Sequence, residues 1–276
     1  MALIILNMDV YFILGYFLAL IVGVSLGLIG SGGSILTVPI LVYLMGINPV
    51  VATAYSLFIV GITSLVGGLK SAKIGLVDFK KVIGFGIPSI IAVYLTRRYI
   101  LPALPEVIWS TSSFILTKNM ALMLLFAVIM ILAAFSMIKK EKDKKISTEQ
   151  KTASYLWVIL EGTIVGVVTG LVGAGGGFLI IPALVILAKT PMKIAVGTSL
   201  FIIALKSIIG FLGDLQILSD INWTLLISFT ILSLIGIFIG INLTKKMDGA
   251  KLKTGFGYFV LIMAVYILYM ELIAKN

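Results

Sequence analysis

Long apolar runs separated by short polar links set the pattern of this chain. They fall at about 11–28, 35–45, 50–69, 82–96 and 119–138, and again at 155–171, 178–188, 194–212, 223–243 and 254–273. The hydrophilic run 139–151 lies between the two sets. A helix needs about 20 apolar residues to cross a hydrocarbon core roughly 30 Å thick, and most of these runs approach that length. No period-two alternation points to a barrel, and open sheets cannot satisfy their backbone in lipid. The predicted class is therefore an all-α polytopic membrane protein.

The pattern is duplicated. GLIGSGGSILTVP at 27–39 returns 143 residues later as GLVGAGGGFLIIP at 170–182, with seven of thirteen positions identical. The same offset aligns VATAYSLFI at 51–59 with IAVGTSLFI at 194–202 without a gap. This predicts a first transmembrane repeat over 1–138, a basic linker over 139–152 and a second repeat over 153–276. Each repeat is expected to hold a Gly-rich broken-helix hairpin and three further transmembrane helices.

Whether each Gly-rich element is a kink in one crossing helix or the tip of a hairpin decides the symmetry, and positive charge arbitrates. Kinked crossings divide Lys and Arg about equally between the two sides. Hairpins place sixteen inside and four outside, with Lys206 left in the membrane. Cytoplasmic links carry the excess of Lys and Arg, so the hairpin reading is favoured and the halves become inverted repeats. Length agrees, because a continuous helix over 11–45 would be about 50 Å long. In this arrangement the linker is cytoplasmic and both termini are outside. Arg97 and Arg98 fall outside against the rule, and the outer link 213–222 carries only Asp214 and Asp220.

Composition narrows the chemistry. The chain is 61% hydrophobic and 12% charged, with a mean hydropathy of +1.21, so it has too few polar residues to cover a water-facing globule of this size. It contains no Cys and no His, which removes disulfides, thiolates and imidazole relays. The net charge of +10 reflects orientation in the bilayer rather than nucleic-acid binding. Residues 1–10 hold no Lys or Arg and so lack the basic region of a signal peptide. That segment is expected to be retained. GFLGD at 210–214 superficially resembles a membrane aspartyl protease motif, but no second intramembrane Asp is evident. The chain is read as not an enzyme and as needing no cofactor.

The candidate chemistry lies at the glycines. Residues 30–34 and 173–177 cannot be stable helix interior, since each glycine costs about 1 kcal/mol relative to alanine. A helix is expected to restart after each tip, leaving free N–H groups with a partial positive charge that suit an anion. Inverted repeats would bring the two tips together near the midplane, as in secondary transporters with broken helices. This predicts an anion site from Gly30, Ser31, Gly32, Gly33 and Ser34 with Gly173, Ala174, Gly175, Gly176 and Gly177. The blander alternative is tight helix packing by small residues. The glycine runs lack the Gly-Lys-Ser/Thr ending of a nucleotide P-loop.

Lys206 sits in the apolar crossing 194–212, where a lysine costs about 3 kcal/mol on insertion scales and needs a partner or a wet cavity. It lies seven residues after Ser199, on the same helical face. The equivalents at the 143-residue offset are Ser56 for Ser199 and Thr63 for Lys206, so the charge occurs in one repeat only. Ser56, Ser199 and Lys206 join the predicted site, with snorkelling of Lys206 to the surface as the alternative. Glu161, about two turns into 155–171, could pair with Lys206, carry a coupling proton or cation, or reach back to the cytoplasmic interface. Tyr55 either lines the same cavity or packs.

The doubled G-x-x-G-x-G-G-[GS]-x-x-x-x-P element, followed each time by a short apolar arm and a Ser-Leu-Phe helix, resembles the sulfite exporter TauE/SafE family within the toluene sulfonate uptake permease group. The family pattern corresponds to Gly27, Gly30, Gly32, Gly33 and Pro39, and to Gly170, Gly173, Gly175, Gly176, Gly177 and Pro182. Ser34 departs from the fuller glycine run. The resemblance implies a secondary carrier of small sulfur-containing anions, such as sulfite or organosulfonates, in a prokaryotic inner membrane. The expected partners are that anion, the lipid bilayer and a coupling proton or cation, with no nucleic acid. A homodimer is one assembly that the sequence allows. An anion channel, a carrier of another organic anion and a non-transporting membrane scaffold are the competing functions.

Overall fold

The computed structural model describes residues 2–30, 33–111, 114–138, 155–173, 180–181, 184, 190–215, 220–244 and 249–274. In the first half, helix α1 (Ala2–Ile29) is followed by α2 (Gly33–Pro39), which continues through a π turn (Ile40–Leu44). Next come α3 (Pro49–Lys73) and α4 (Phe79–Leu95), the latter extended by a π turn (Thr96–Ile100) and a last helical turn (Leu101–Ala103). An antiparallel hairpin of β1 (Val107–Thr111) and β2 (Phe114–Thr117) leads into α5 (Lys118–Ile138). The second half holds α6 (Tyr155–Val172), α7 (Met192–Asp214), α8 (Trp223–Thr244) and α9 (Gly249–Tyr269) with its closing π turn (Met270–Ala274). The basic linker 139–152 and most of the arm 178–188 lie outside the described residues.

The predicted membrane class holds. Among the described residues, six helices are long and apolar enough to cross a bilayer, while Ile35–Leu44, Ile159–Val172 and Gly257–Ile273 are shorter apolar helices. The distribution of side chains is that of a protein solvated by lipid. Ile83, Ile87 and Ile91 on α4, and Ile227, Ile231 and Ile235 on α8, form outward stripes at four-residue spacing. Buried positions include Ser56, Thr63, Ser89, Thr198 and Ser207. Two features differ from the sequence reading. The small β-hairpin interrupts the all-helical pattern, and α4 runs to Ala103 rather than stopping at about 96, because Pro102 opens a helical turn where it needs no N–H.

Polar caps fix where the helices begin. Asn48 accepts from the Val50 N–H at 2.9 Å, with Pro49 as the first residue of α3. Asp78 accepts from Lys80 and Lys81 at the start of α4, and Asn222 from Leu225 at the start of α8. Bonds between the halves repeat the same theme. The Asp78 N–H donates to the Thr198 hydroxyl and the Asn222 N–H to the Tyr55 hydroxyl, and Tyr55 and Thr198 occupy equivalent positions. Tyr55 is therefore an inter-helix tie.

Glycine contacts give the helix directions. A methyl group at Gly236 would meet Leu20, and one at Gly240 would meet Val24, so α1 and α8 run parallel. Gly162 faces Phe85 and Gly166 faces Ser89, which makes α4 and α6 parallel as well. In contrast, Gly61 meets Ser207 and Ile208 while Gly68 meets Phe201, so α3 and α7 are antiparallel. In the first half, Gly33 packs on Val22 and Leu26 while Met45 lies against Gly15. The arm α2 thus folds back along α1, as a hairpin and not a kink.

These close approaches leave no room for side chains. Gly27→Leu would drive a side chain into the Ile237 carbonyl and is expected to cost about 1–3 kcal/mol from overpacking. At Gly255, in α9, a Cβ meets nothing within 4 Å, and Gly255→Ala is expected to gain about 1 kcal/mol from helix propensity. Thermal melting of the two purified variants in detergent checks both signs.

Candidate functional site

Helix α6 ends where the second glycine element begins. Gly173 adopts φ +71° and donates its N–H to the Thr169 carbonyl at 2.9 Å. This is a left-handed C-cap, a conformation that glycine adopts without steric cost. Gly30 does the same after α1, with φ +78° and a 2.8 Å bond to Leu26. The doubled motif is thus, at its first half, a doubled helix stop.

The two stops do not meet. Gly173 abuts Thr53 at the start of α3, whereas Gly30 abuts Val196 at the start of α7. Because α3 and α7 are antiparallel, with Gly68 beside Phe201, Val196 lies about one turn past Gly68. The tips are therefore roughly 25–30 Å apart along the α3 axis. The sequence expectation of a shared midplane site fails for a simple reason. Helix α1, with 28 residues, and its counterpart α6 run the depth of the helix layer before they turn.

One stop is surrounded by charge. Thr53, against Gly173, accepts from Arg97 Nη1 at 3.0 Å and donates to the Val50 carbonyl at 2.7 Å. The same Nη1 donates to Asp214 Oδ2 at 3.0 Å, in an ion pair whose side chains are 0% and 1% exposed. Arg97 stands on the π turn of α4, and a Cβ at Gly213 would lie 3.0 Å from the Arg97 Cβ. The lack of a side chain at 213 lets the arginine lie between α4 and α7. One helical turn before Gly173, the Thr169 hydroxyl accepts from Lys206 Nζ at 3.2 Å. Lys206 is 0% exposed, so it does not snorkel.

Charge does not balance here. Two basic side chains, Lys206 and Arg97, stand against one carboxylate, Asp214, and among the described residues no carboxylate pairs with Lys206. The C-terminal dipole of α6 favours a cation by about 0.3–1 kcal/mol, too little to offset burial at about 3 kcal/mol. Hydrogen bonding is also incomplete. Arg97 Nε and Nη2 and Asp214 Oδ1 have no partner among the described residues, at about 1–3 kcal/mol for each buried unmet group. The same set does not recur at the other stop, since the offset positions of Lys206, Arg97, Asp214 and Thr53 are Thr63, Gly240, Ser71 and Val196.

The predicted site residues divide accordingly. Gly173 and Lys206 come together around Thr169. Gly30 and Gly33 belong to the distant stop. Ser56 is buried, and its hydroxyl has no partner among the described residues, while Ser199 donates to the Val196 carbonyl at 2.8 Å. The α3–α7 pairing puts them on either side of Lys206, each about 10 Å away along the axis. Glu161 is partly exposed on α6, two turns before Thr169 and about 12 Å from it along the helix. Ser31, Gly32, Ala174, Gly175, Gly176 and Gly177 lie outside the described residues, as does the side chain of Ser34. Sequence reasoning missed Arg97 and Asp214, which sit at the ends of apolar runs and therefore read as residues of outer links. The usable signal was Gly213 directly before Asp214.

The profile of the family described as Sulfite exporter TauE/SafE matches residues 15–267. The chain is 27% identical over 258 residues to a probable membrane transporter protein of Xylella fastidiosa (strain Temecula1 / ATCC 700964), covering 90% of this chain and 92% of that protein. It is 30% identical over 256 residues to the probable membrane transporter protein YunE of Bacillus subtilis (strain 168), covering 86% and 90%. No solved structure matches the chain. Both helix stops, Arg97, Lys206 and Asp214 fall inside the matched span, and the chain belongs to the sulfite exporter TauE/SafE family of membrane transporters.

Proposed function

We propose that this protein is a secondary carrier that moves a small sulfur-containing oxyanion, such as sulfite or a sulfonate, across a prokaryotic inner membrane by alternating access. The observation that carries the reading is Lys206, a fully buried basic side chain beside the second helix stop that has no carboxylate partner among the described residues. A single anion bound near Lys206 and Thr169 neutralises it, and a cation buried without a counter-charge is otherwise a persistent cost. The complete burial of Lys206 and Arg97 supports an occluded carrier site over an open channel. Family membership supports transport as the activity.

Symmetry supports the mechanism. Helices α3 and α7 occupy equivalent positions in the duplicated sequence and pack antiparallel, as inverted repeats with an axis in the bilayer plane require. The pair α1 with α8 is the counterpart of α6 with α4, and both pairs run parallel. In this reading the linker 139–152 is cytoplasmic and the termini lie outside, which puts the charged stop towards the outer face and the Gly30 stop towards the inner face. Glu161 is the coupling-ion candidate, because it is an acid partly exposed on a membrane helix.

Two measurements test this. Reconstituted wild type is expected to give saturable charge movement, or labelled-sulfur flux where exchange is electroneutral, with one of sulfite, sulfoacetate, thiosulfate or sulfate. Lys206→Ala is expected to lose at least about tenfold in apparent affinity, the scale of one lost charged contact, while remaining monodisperse. Unchanged flux in that variant removes Lys206 from the site, and flux that no imposed gradient can drive uphill favours a channel. For sidedness, the chain has no cysteine, so single substitutions report cleanly. Lys142→Cys is expected to react with an impermeant maleimide only from the cytoplasmic side, and Ser110→Cys only from outside.

A further inference from the structure

The Arg97 guanidinium is engaged too sparsely for a purely structural ion pair. Both of its hydrogen bonds, to Thr53 and to Asp214, leave from Nη1. Nε and Nη2 are buried and have no partner among the described residues. Those two nitrogens form the edge of the guanidinium whose N–H bonds point the same way. That edge, like the Nη1–Nη2 end, is matched to two oxygens on a single atom. A carboxylate serving only to lock helices together satisfies most by placing both oxygens on one of these pairs. Asp214 instead makes a single contact from Oδ2 and leaves Oδ1 unmatched. Arg97 stands among the elements of the second helix stop: its Nη1 bonds Thr53, which lies against Gly173, its neighbour Thr96 lies against Gly170, and its Cβ faces Gly213.

We infer that the Nε and Nη2 edge of Arg97 is an oxyanion-recognition site, taking two oxygens of a sulfite- or sulfonate-class anion, with Asp214 on Nη1 as the resident carboxylate whose negative charge opposes the incoming anion. This rests on the reading of the protein as a small-anion carrier and adds to it a basis for selectivity. Lys206, a point charge, attracts any anion. The Arg97 fork rewards two oxygens and gives a halide no matched pair of acceptors. Asp214 holds the arginine in place when no anion is bound and keeps the site from retaining anions too tightly. The site occurs once, because the offset equivalent of Arg97 is Gly240.

The test is equilibrium binding of methanesulfonate and chloride to the purified full-length protein in detergent. Arg97→Lys keeps the charge and removes the fork. It is expected to weaken methanesulfonate by about tenfold or more while changing chloride by less than about twofold. Asp214→Asn removes the opposing charge and is expected to tighten methanesulfonate by at least about threefold. Either variant decides alone if the other loses its fold. Methanesulfonate binding that is unchanged in Arg97→Lys, or unchanged or weaker in Asp214→Asn, overturns the assignment while leaving the carrier reading intact. Absence of saturable binding of either probe by the wild type overturns both.

Discussion

Everything in this molecule follows from the cost of an unpaired polar group where there is no water. In the hydrocarbon layer a backbone N–H or carbonyl must find its partner inside the protein, and a charged side chain must find an opposite charge, a hydrogen bond or a ligand. The helices meet the first demand along their length through their own backbone bonds, while the apolar stripes of α4 and α8 face lipid on the outside. The capped helix starts at Asn48, Asp78 and Asn222, and the left-handed stops at Gly30 and Gly173, meet it at the helix ends. The cluster of Arg97, Asp214, Thr53, Thr169 and Lys206 meets the second demand only in part. In the proposed reading, a bound anion makes up the shortfall.

Packing and electrostatics reinforce one another here. Helices meet backbone to backbone at Gly23, Gly27, Gly162 and Gly166, because lipid offers no hydrophobic drive for association and close packing, together with inter-helix hydrogen bonds, holds such helices together. The same economy of side chains at Gly213 and Gly173 lets a guanidinium and a threonine occupy space that larger residues would fill. Binding chemistry and helix packing therefore draw on one resource, the small residue.

Much of the fold is legible in the sequence, for a physical reason. Bilayer thickness sets the length of an apolar run, so hydropathy alone delimits the spans, and a doubled GxxGxGG pattern stands out against them. Lys206 is legible because no interface lies near it along the chain. Arg97 and Asp214 are not, since a charge at the edge of an apolar run reads as an interfacial residue. Only the continuation of α4 through its π turn to Ala103 and the glycine at 213 bring that pair inside. The separation of the two stops is equally hidden. It depends on how far α1 and α6 run before turning, and on the antiparallel register of α3 against α7, neither of which local sequence encodes.

That register has a mechanical consequence. Gly173 rests on the first turn of α3 and Gly30 on the first turn of α7, at opposite ends of one antiparallel pair whose midpoint falls near Thr63 and Lys206. The arrangement is a seesaw with its fulcrum at the buried lysine. A tilt of α7 about that point would move its end at the Gly30 stop and its end at the Arg97–Asp214 pair in opposite directions.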